Sequence, residues 1–225
     1  NWSTDTLPGL SNNVTIDSGA GPILISSPGA LAKSLIANRS LTISGSGSLS
    51  LANASQVAGL FTLSGGTLTG AGSAAVTGAG GSLVWSGGTM DSGGSFLLGG
   101  GNSGTLSNTL TLNRLFDNRG ALTLSGASVS GPGSIANSGP LTATSGTSNT
   151  INTSLMNAFV PTVGTIQLSG AGTTLTVTNF PTNDGQIVIT SGGTLSTGAN
   201  SLTNAATSGL VIDAGNYATA GASVT

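Results

Sequence analysis

Residues 61–98, FTLSGGTLTGAGSAAVTGAGGSLVWSGGTMDSGGSFLL, decide the fold. Within them Phe61-Thr-Leu63-Ser-Gly-Gly-Thr-Leu68 returns as Leu83-Val-Trp85-Ser-Gly-Gly-Thr-Met90, 22 residues later. Each copy opens with two apolar residues flanking a middle position, which is strand periodicity. It then breaks at Ser-Gly-Gly, where missing Cβ atoms permit a sharp corner. Short strands and glycine corners at a period near 20 describe one coil of a solenoid.

Working outward, the same grammar runs through most of the chain. Towards the N-terminus it appears as Val14-Thr-Ile16, Ile23-Leu-Ile25, Leu41-Thr-Ile43 and Leu49-Ser-Leu51. Towards the C-terminus it appears as Ile166-Gln-Leu168, Leu175-Thr-Val177, Ile187-Val-Ile189 and Leu210-Val-Ile212. Thr occupies the middle of such triplets at Thr15, Thr42, Thr62, Thr111, Thr123 and Thr176, so alternation predicts threonine outward and its neighbours inward. Coils of about 19–23 residues divide the 225 residues into roughly ten, a body roughly 50 Å long at the usual strand spacing. An antiparallel sandwich has no reason to repeat at that interval.

A second signature, Phe116-Asp-Asn118-Arg-Gly120-Ala-Leu122, matches Ile135-Ala-Asn137-Ser-Gly139-Pro-Leu141 at a spacing of 19, and Asn183-Asp-Gly185 repeats its core. Asn before a glycine corner tolerates a left-handed backbone. Asn118, Asn137 and Asn183 are therefore read as turn-shaping residues that can also bond one another in a ladder. Residues 1–13 lack alternation and form a lead-in, in which Trp2, Leu7 and Pro8 either cap the first coil or dock onto another molecule. Residues 14–225 form a single solenoid domain with irregular breaks near 99–105 and 155–161. Residues 30–38 carry the only helical spacing and are read as a bulge or one helical turn.

Four basic residues and six aspartates, with no Glu, His or Cys, leave no Lys/Arg footprint for nucleic acid and no thiolate site. No apolar run is long enough to span a bilayer, so this segment inserts in no membrane. The start at Asn1 and the lack of a signal-peptide pattern suit a processed or excerpted piece of a longer polypeptide. A surface of Ser, Thr, Asn and Gly points to an extracellular or cell-surface location.

The units Ser64-Gly-Gly-Thr-Leu68-Thr-Gly-Ala-Gly-Ser73, Trp85-Ser-Gly-Gly-Thr-Met90 and Ser125-Gly-Ala-Ser-Val129-Ser-Gly-Pro-Gly-Ser134 resemble the β-strand repeats of large bacterial surface proteins. The families are the autotransporter passenger domains and the filamentous-haemagglutinin-like adhesins, and the resemblance covers most of 14–212. It implies an all-β, right-handed parallel β-helix, export, and a role in a surface fibre or in adhesion.

β-Helices also carry polysaccharide-processing enzymes, whose chemistry needs paired carboxylates or a base with cations. The six aspartates are scattered, and Asp17, Asp91 and Asp213 stand in the turn context before glycine. No metal, cofactor or catalytic site is expected. The sequence reads as a non-enzymatic structural segment of an extracellular fibre, with itself, head to tail, or neighbouring repeats as partner, and a glycan or cell-surface ligand as a further one. The alternatives are a carbohydrate-binding or carbohydrate-processing β-helix and, from the outward threonines, an ice-binding solenoid. Against the last stands the drift in coil length, which should spoil a regular outward lattice.

Overall fold

Each coil gives one short strand to each of three faces, and each strand pairs in parallel with its counterpart one coil later. The structure, a computed structural model, describes residues 7–17, 21–158, 163–180, 182–205, 208–213 and 215–218. The first face runs from Asn13–Ile16 through Ser34–Ala37 and Ser95–Leu98 to Ser134–Asn137 and 154–157, and single bridges at Asn183 and Asn204 continue it. The second runs from Ile23–Ile25 and Leu41–Ile43 to Gln186–Thr190 and Gly209–Asp213. The third runs from Ala30–Ala32 and Ser48–Leu51 to Thr194–Ser196 and Asn216–Ala218. In mid-chain the second and third faces share long bent strands such as Leu60–Gly70 and Ala121–Ser130. The fold is a parallel β-helix, a β-solenoid of about 10 turns, with no helix among the described residues.

Alternation places the core. Leu122 and Leu124 are buried while Thr123 between them faces out, and Leu41-Thr42-Ile43, Phe61-Thr62-Leu63 and Leu175-Thr176-Val177 repeat the pattern. One inward column passes in register through Ile25, Ile43, Leu63, Trp85, Leu106, Leu124 and Ala143. Each fully buried aliphatic or aromatic side chain in such a column contributes about 1.5–3 kcal/mol. Trp85 is wholly buried, as its inward triplet position requires, and stacks on Phe116 at 6.3 Å between ring centroids. Phe116 in turn stacks on Phe96 at 5.5 Å, and Phe96 lies 5.5 Å from Phe61.

Residues 30–38 do not form a helical turn. They are two strands, Ala30–Ala32 and Ser34–Ala37, bent around Lys33. Small Ala32 and Ala37 point inward while Leu31 and Ile36 are 37% and 39% exposed, the reverse of the usual sizes. Of 99–105, only 99–102 is a turn, closed by the Asn102 N–H donating to the Gly99 carbonyl, and Ser103–Leu112 is a strand. Of 155–161, residues 155–157 belong to the strand Ser148–Asn157, and 159–161 lie outside the described residues. At the corner after the third face, Gly70 and Gly93 stack with positive φ of 96° and 127°. A Cβ on Gly70 would run into the Leu51 carbonyl, and one on Gly93 into the Gly70 carbonyl, so consecutive coils close only with glycine there.

Candidate functional site

The turn-context asparagines lie inside the rod. Asn118 and Asn137 end first-face strands, in register, at the inward position that Leu98 fills one coil earlier. Asn118 Nδ2 donates to Asn137 Oδ1 at 2.7 Å, and Asn137 Nδ2 to Asn157 Oδ1 at 2.8 Å. Asn157 Nδ2 then donates to Asn183 Oδ1 at 2.7 Å and Asn183 Nδ2 to Asn204 Oδ1 at 2.9 Å. The first four are essentially fully buried. Backbone carbonyls of Thr165, Gln186 and Gly185 accept further bonds from Asn137, Asn157 and Asn183. None of the five has the left-handed backbone expected of a turn asparagine, because Asn108 and Ser191 are the only non-glycine residues with positive φ among those described. They hold the corner from within, by side chain. Asn157 and Asn204 are followed by alanine instead of the x-Gly pattern, and the usable signal was apolar-x-Asn, as in Leu155-Met-Asn157 and Leu202-Thr-Asn204.

At the N-terminal end, Leu7 is 81% exposed and Pro8 half-buried, and Trp2 lies outside the described residues. Both described residues line a cavity of about 330 Å³ whose other walls include Val14, Ile23, Ile25 and Leu49.

The charged residues do not converge. Asp117 and Arg119 form a surface ion pair, with Arg119 donating from Nε and Nη2 to Asp117 Oδ2 at 2.9 and 2.6 Å. Arg114 is buried beneath the corner after the third face. Its Nε donates to the Asp91 carbonyl at 2.5 Å and its Nη2 to the Leu68 carbonyl, two coils earlier, at 3.3 Å. Burial pushes the Arg114 guanidinium below its ordinary range, and the charge of Asp91 partly offsets this. The Asp91 carboxylate accepts bonds from Thr69 and Asn113, its neighbours in the adjacent coils. Among the described residues no three His, Cys, Asp or Glu side chains group in a way that could hold a metal ion.

The hydrogen bond to Asp117, then its charge, raises Arg119 above the ordinary arginine range. That contribution is complete below the ordinary range and is lost only as pH rises through the raised value, far above neutrality. The chain has no His, the side chain whose ordinary range lies nearest neutrality, and no Cys or Glu. The melting temperature should therefore stay constant between about pH 6 and 8. A shift of several degrees across that window in a thermal melt would contradict this.

Of the six triplet threonines, Thr42, Thr62 and Thr123 stand on the second face, Thr15 on the first, and Thr111 and Thr176 on the third. Thr42, Thr62, Val84, Thr105, Thr123, Thr142, Gln167 and Val188 pair one for one. Yet Thr105 to Thr123 spans 18 residues and Thr142 to Gln167 spans 25. The drift in coil length, expected to spoil outward register, is absorbed at the corners. Thr123 and Thr142 bring their hydroxyls to 3.4 Å of each other. The described aromatic side chains Phe61, Trp85, Phe96, Phe116 and Phe180 are all in the core, so none of them offers a sugar a stacking platform. Comparison with protein-family models, curated proteins and solved structures returned no match.

Proposed function

We propose that this chain is a structural rod, a segment of an extracellular bacterial surface fibre or adhesin. The observation that carries the reading is continuity: parallel pairing links Asn13–Ile16 to Asn204 through successive coils around one aliphatic and aromatic core. A rod of this kind works mechanically. Backbone bonds between coils lie along the axis and share any tension applied to the ends, and the narrow core ties each described strand to the coils on either side of it. The near absence of charge suits a surface that packs beside other neutral repeats, with further copies or adjoining repeats as its partners.

The test has two arms. Antibodies raised against the chain should label intact cells of the source organism, and labelling only after permeabilisation would overturn the exported location. The folded chain should resist a nonspecific protease at concentrations that degrade an ordinary loop-rich domain. Rapid fragmentation throughout the coils would overturn the mechanical role.

A further inference from the structure

We propose that Arg114 is a clamp that joins three successive coils into one unit of unfolding, whatever the rod is attached to. In a solenoid each coil ordinarily contacts only the coils next to it, so coils can peel away one at a time. Arg114 departs from that rule. Its Nε donates to the Asp91 carbonyl one coil earlier at 2.5 Å, and its Nη2 reaches the Leu68 and Gly70 carbonyls, two coils earlier, at 3.3 and 3.5 Å. Nη1 is buried and bonds nothing among the described residues, so every bond of the guanidinium runs to an earlier coil.

The corner is built to let this side chain through. Gly72, Gly94, Arg114 and Gly133 stand two residues before Ala74, Phe96, Phe116 and Ile135, which pair in register, so the four share one corner column. A Cβ on Gly94 would run into the Gly72 carbonyl, and one on Gly72 into the Asn53 carbonyl. Glycine in the two lower coils thus keeps their backbones close enough for one side chain to span both. Of the four, only Arg114 carries a side chain, and it is buried. The same three coils are tied a second time on the outside, where the Asp91 carboxylate accepts from Thr69 Oγ1 at 3.3 Å and from Asn113 Nδ2 at 3.1 Å. Peeling from the C-terminal side must at last pull the guanidinium off three carbonyls in two coils. Peeling from the N-terminal side strips away the Leu68 and Gly70 carbonyls and leaves a buried charge short of partners, which is strongly unfavourable. Residues 68–114 should therefore be the last to open from either end, and should open together.

Pulling the full chain by its two termini tests this. The last event in the native chain should release residues 68–114 in a single step of roughly 150–170 Å of extended chain. Arg114→Met leaves the stacked rings of Phe61, Trp85, Phe96 and Phe116 in place but removes every donor. It should split the last event into steps of roughly 70 Å, one per coil. If that variant fails to fold, Arg114→Lys serves, because a single nitrogen then replaces the fork that spans two coils, and it should split the event in the same way. Arg119→Met, which removes only the surface pair with Asp117, should leave the step whole. Native peeling in single-coil steps through 68–114 would overturn the clamp. So would a single last step that survives loss of the guanidinium, since the aromatic stack in these coils would then account for it.

Discussion

Leu124→Asp should leave the chain unfolded or melting far below the native temperature, whereas Thr123→Asp should be nearly silent. The two positions are adjacent in the strand Ala121–Ser130, and the backbone changes at neither. Leu124 is fully buried and stands in register between Leu106 and Ala143, so a carboxylate there meets hydrocarbon above and below. An unpaired buried charge costs about 4–5 kcal/mol or more, a large part of the stability of any domain. Thr123 faces solvent, and its replacement forfeits only a weak hydroxyl contact with Thr142. That change should stay within about 0.5–1 kcal/mol. Thermal melts of the two variants side by side check this, and equal melting temperatures would refute the inward and outward assignment.

Asn137→Ala should be the second most damaging change, although it removes a polar side chain and creates no charge. Asn137 accepts from Asn118 and donates to Asn157, so truncation strands a donor below and an acceptor above, both buried. At about 1–3 kcal/mol for each unsatisfied group, the loss is about 2–6 kcal/mol. Asn152→Ala, at an exposed position in the later strand Ser148–Asn157, should cost less than about 0.5 kcal/mol. Asn137→Asp adds a pH signature. A protonated carboxyl can still donate to Asn157 Oδ1, but an ionised one sets acceptor against acceptor in a buried site. Its folded pKa therefore rises above the unfolded value, the native state binds the extra proton, and stability falls as pH climbs through that interval. The native protein should show no such slope near neutrality. Equal denaturant midpoints for Asn137→Ala and Asn152→Ala would show that the ladder does not stabilise the rod.

The solenoid was legible because its signal is local. In Leu122-Thr-Leu124 or Phe61-Thr-Leu63 the alternation itself states which side is core, and a glycine states where the chain bends. Residues 30–38 were misread because both cues are missing there: the corner residue is Lys33, and alanines take the inward places that leucines hold elsewhere. Asn118, Asn137 and Asn183 stood out through the glycine that follows them. Their bonds to Asn157 and Asn204 connect residues 20 to 26 positions apart, and only the paired register shows that these side chains share a column. The fate of Arg114 was equally hidden, since two of the carbonyls it reaches, those of Leu68 and Gly70, lie two coils away in space and 44 to 46 residues away in sequence.

The separation between faces that keep register and corners that absorb length makes the rod a ruler with editable margins. Strand spacing fixes the height of each coil at about 4.8 Å along the axis, whatever number of residues the corner below it uses. A lengthened turn at 144–147, which the Thr147 N–H closes onto the Thr144 carbonyl, would leave the pairing of Pro140–Ala143 with Thr165–Ser169 untouched. Peptides grafted at corners of successive coils would then project from one stiff frame at set intervals, in the order in which they occur in the chain. Such a molecule can change what it shows to its surroundings by insertion and deletion alone, with no compensating change in its core.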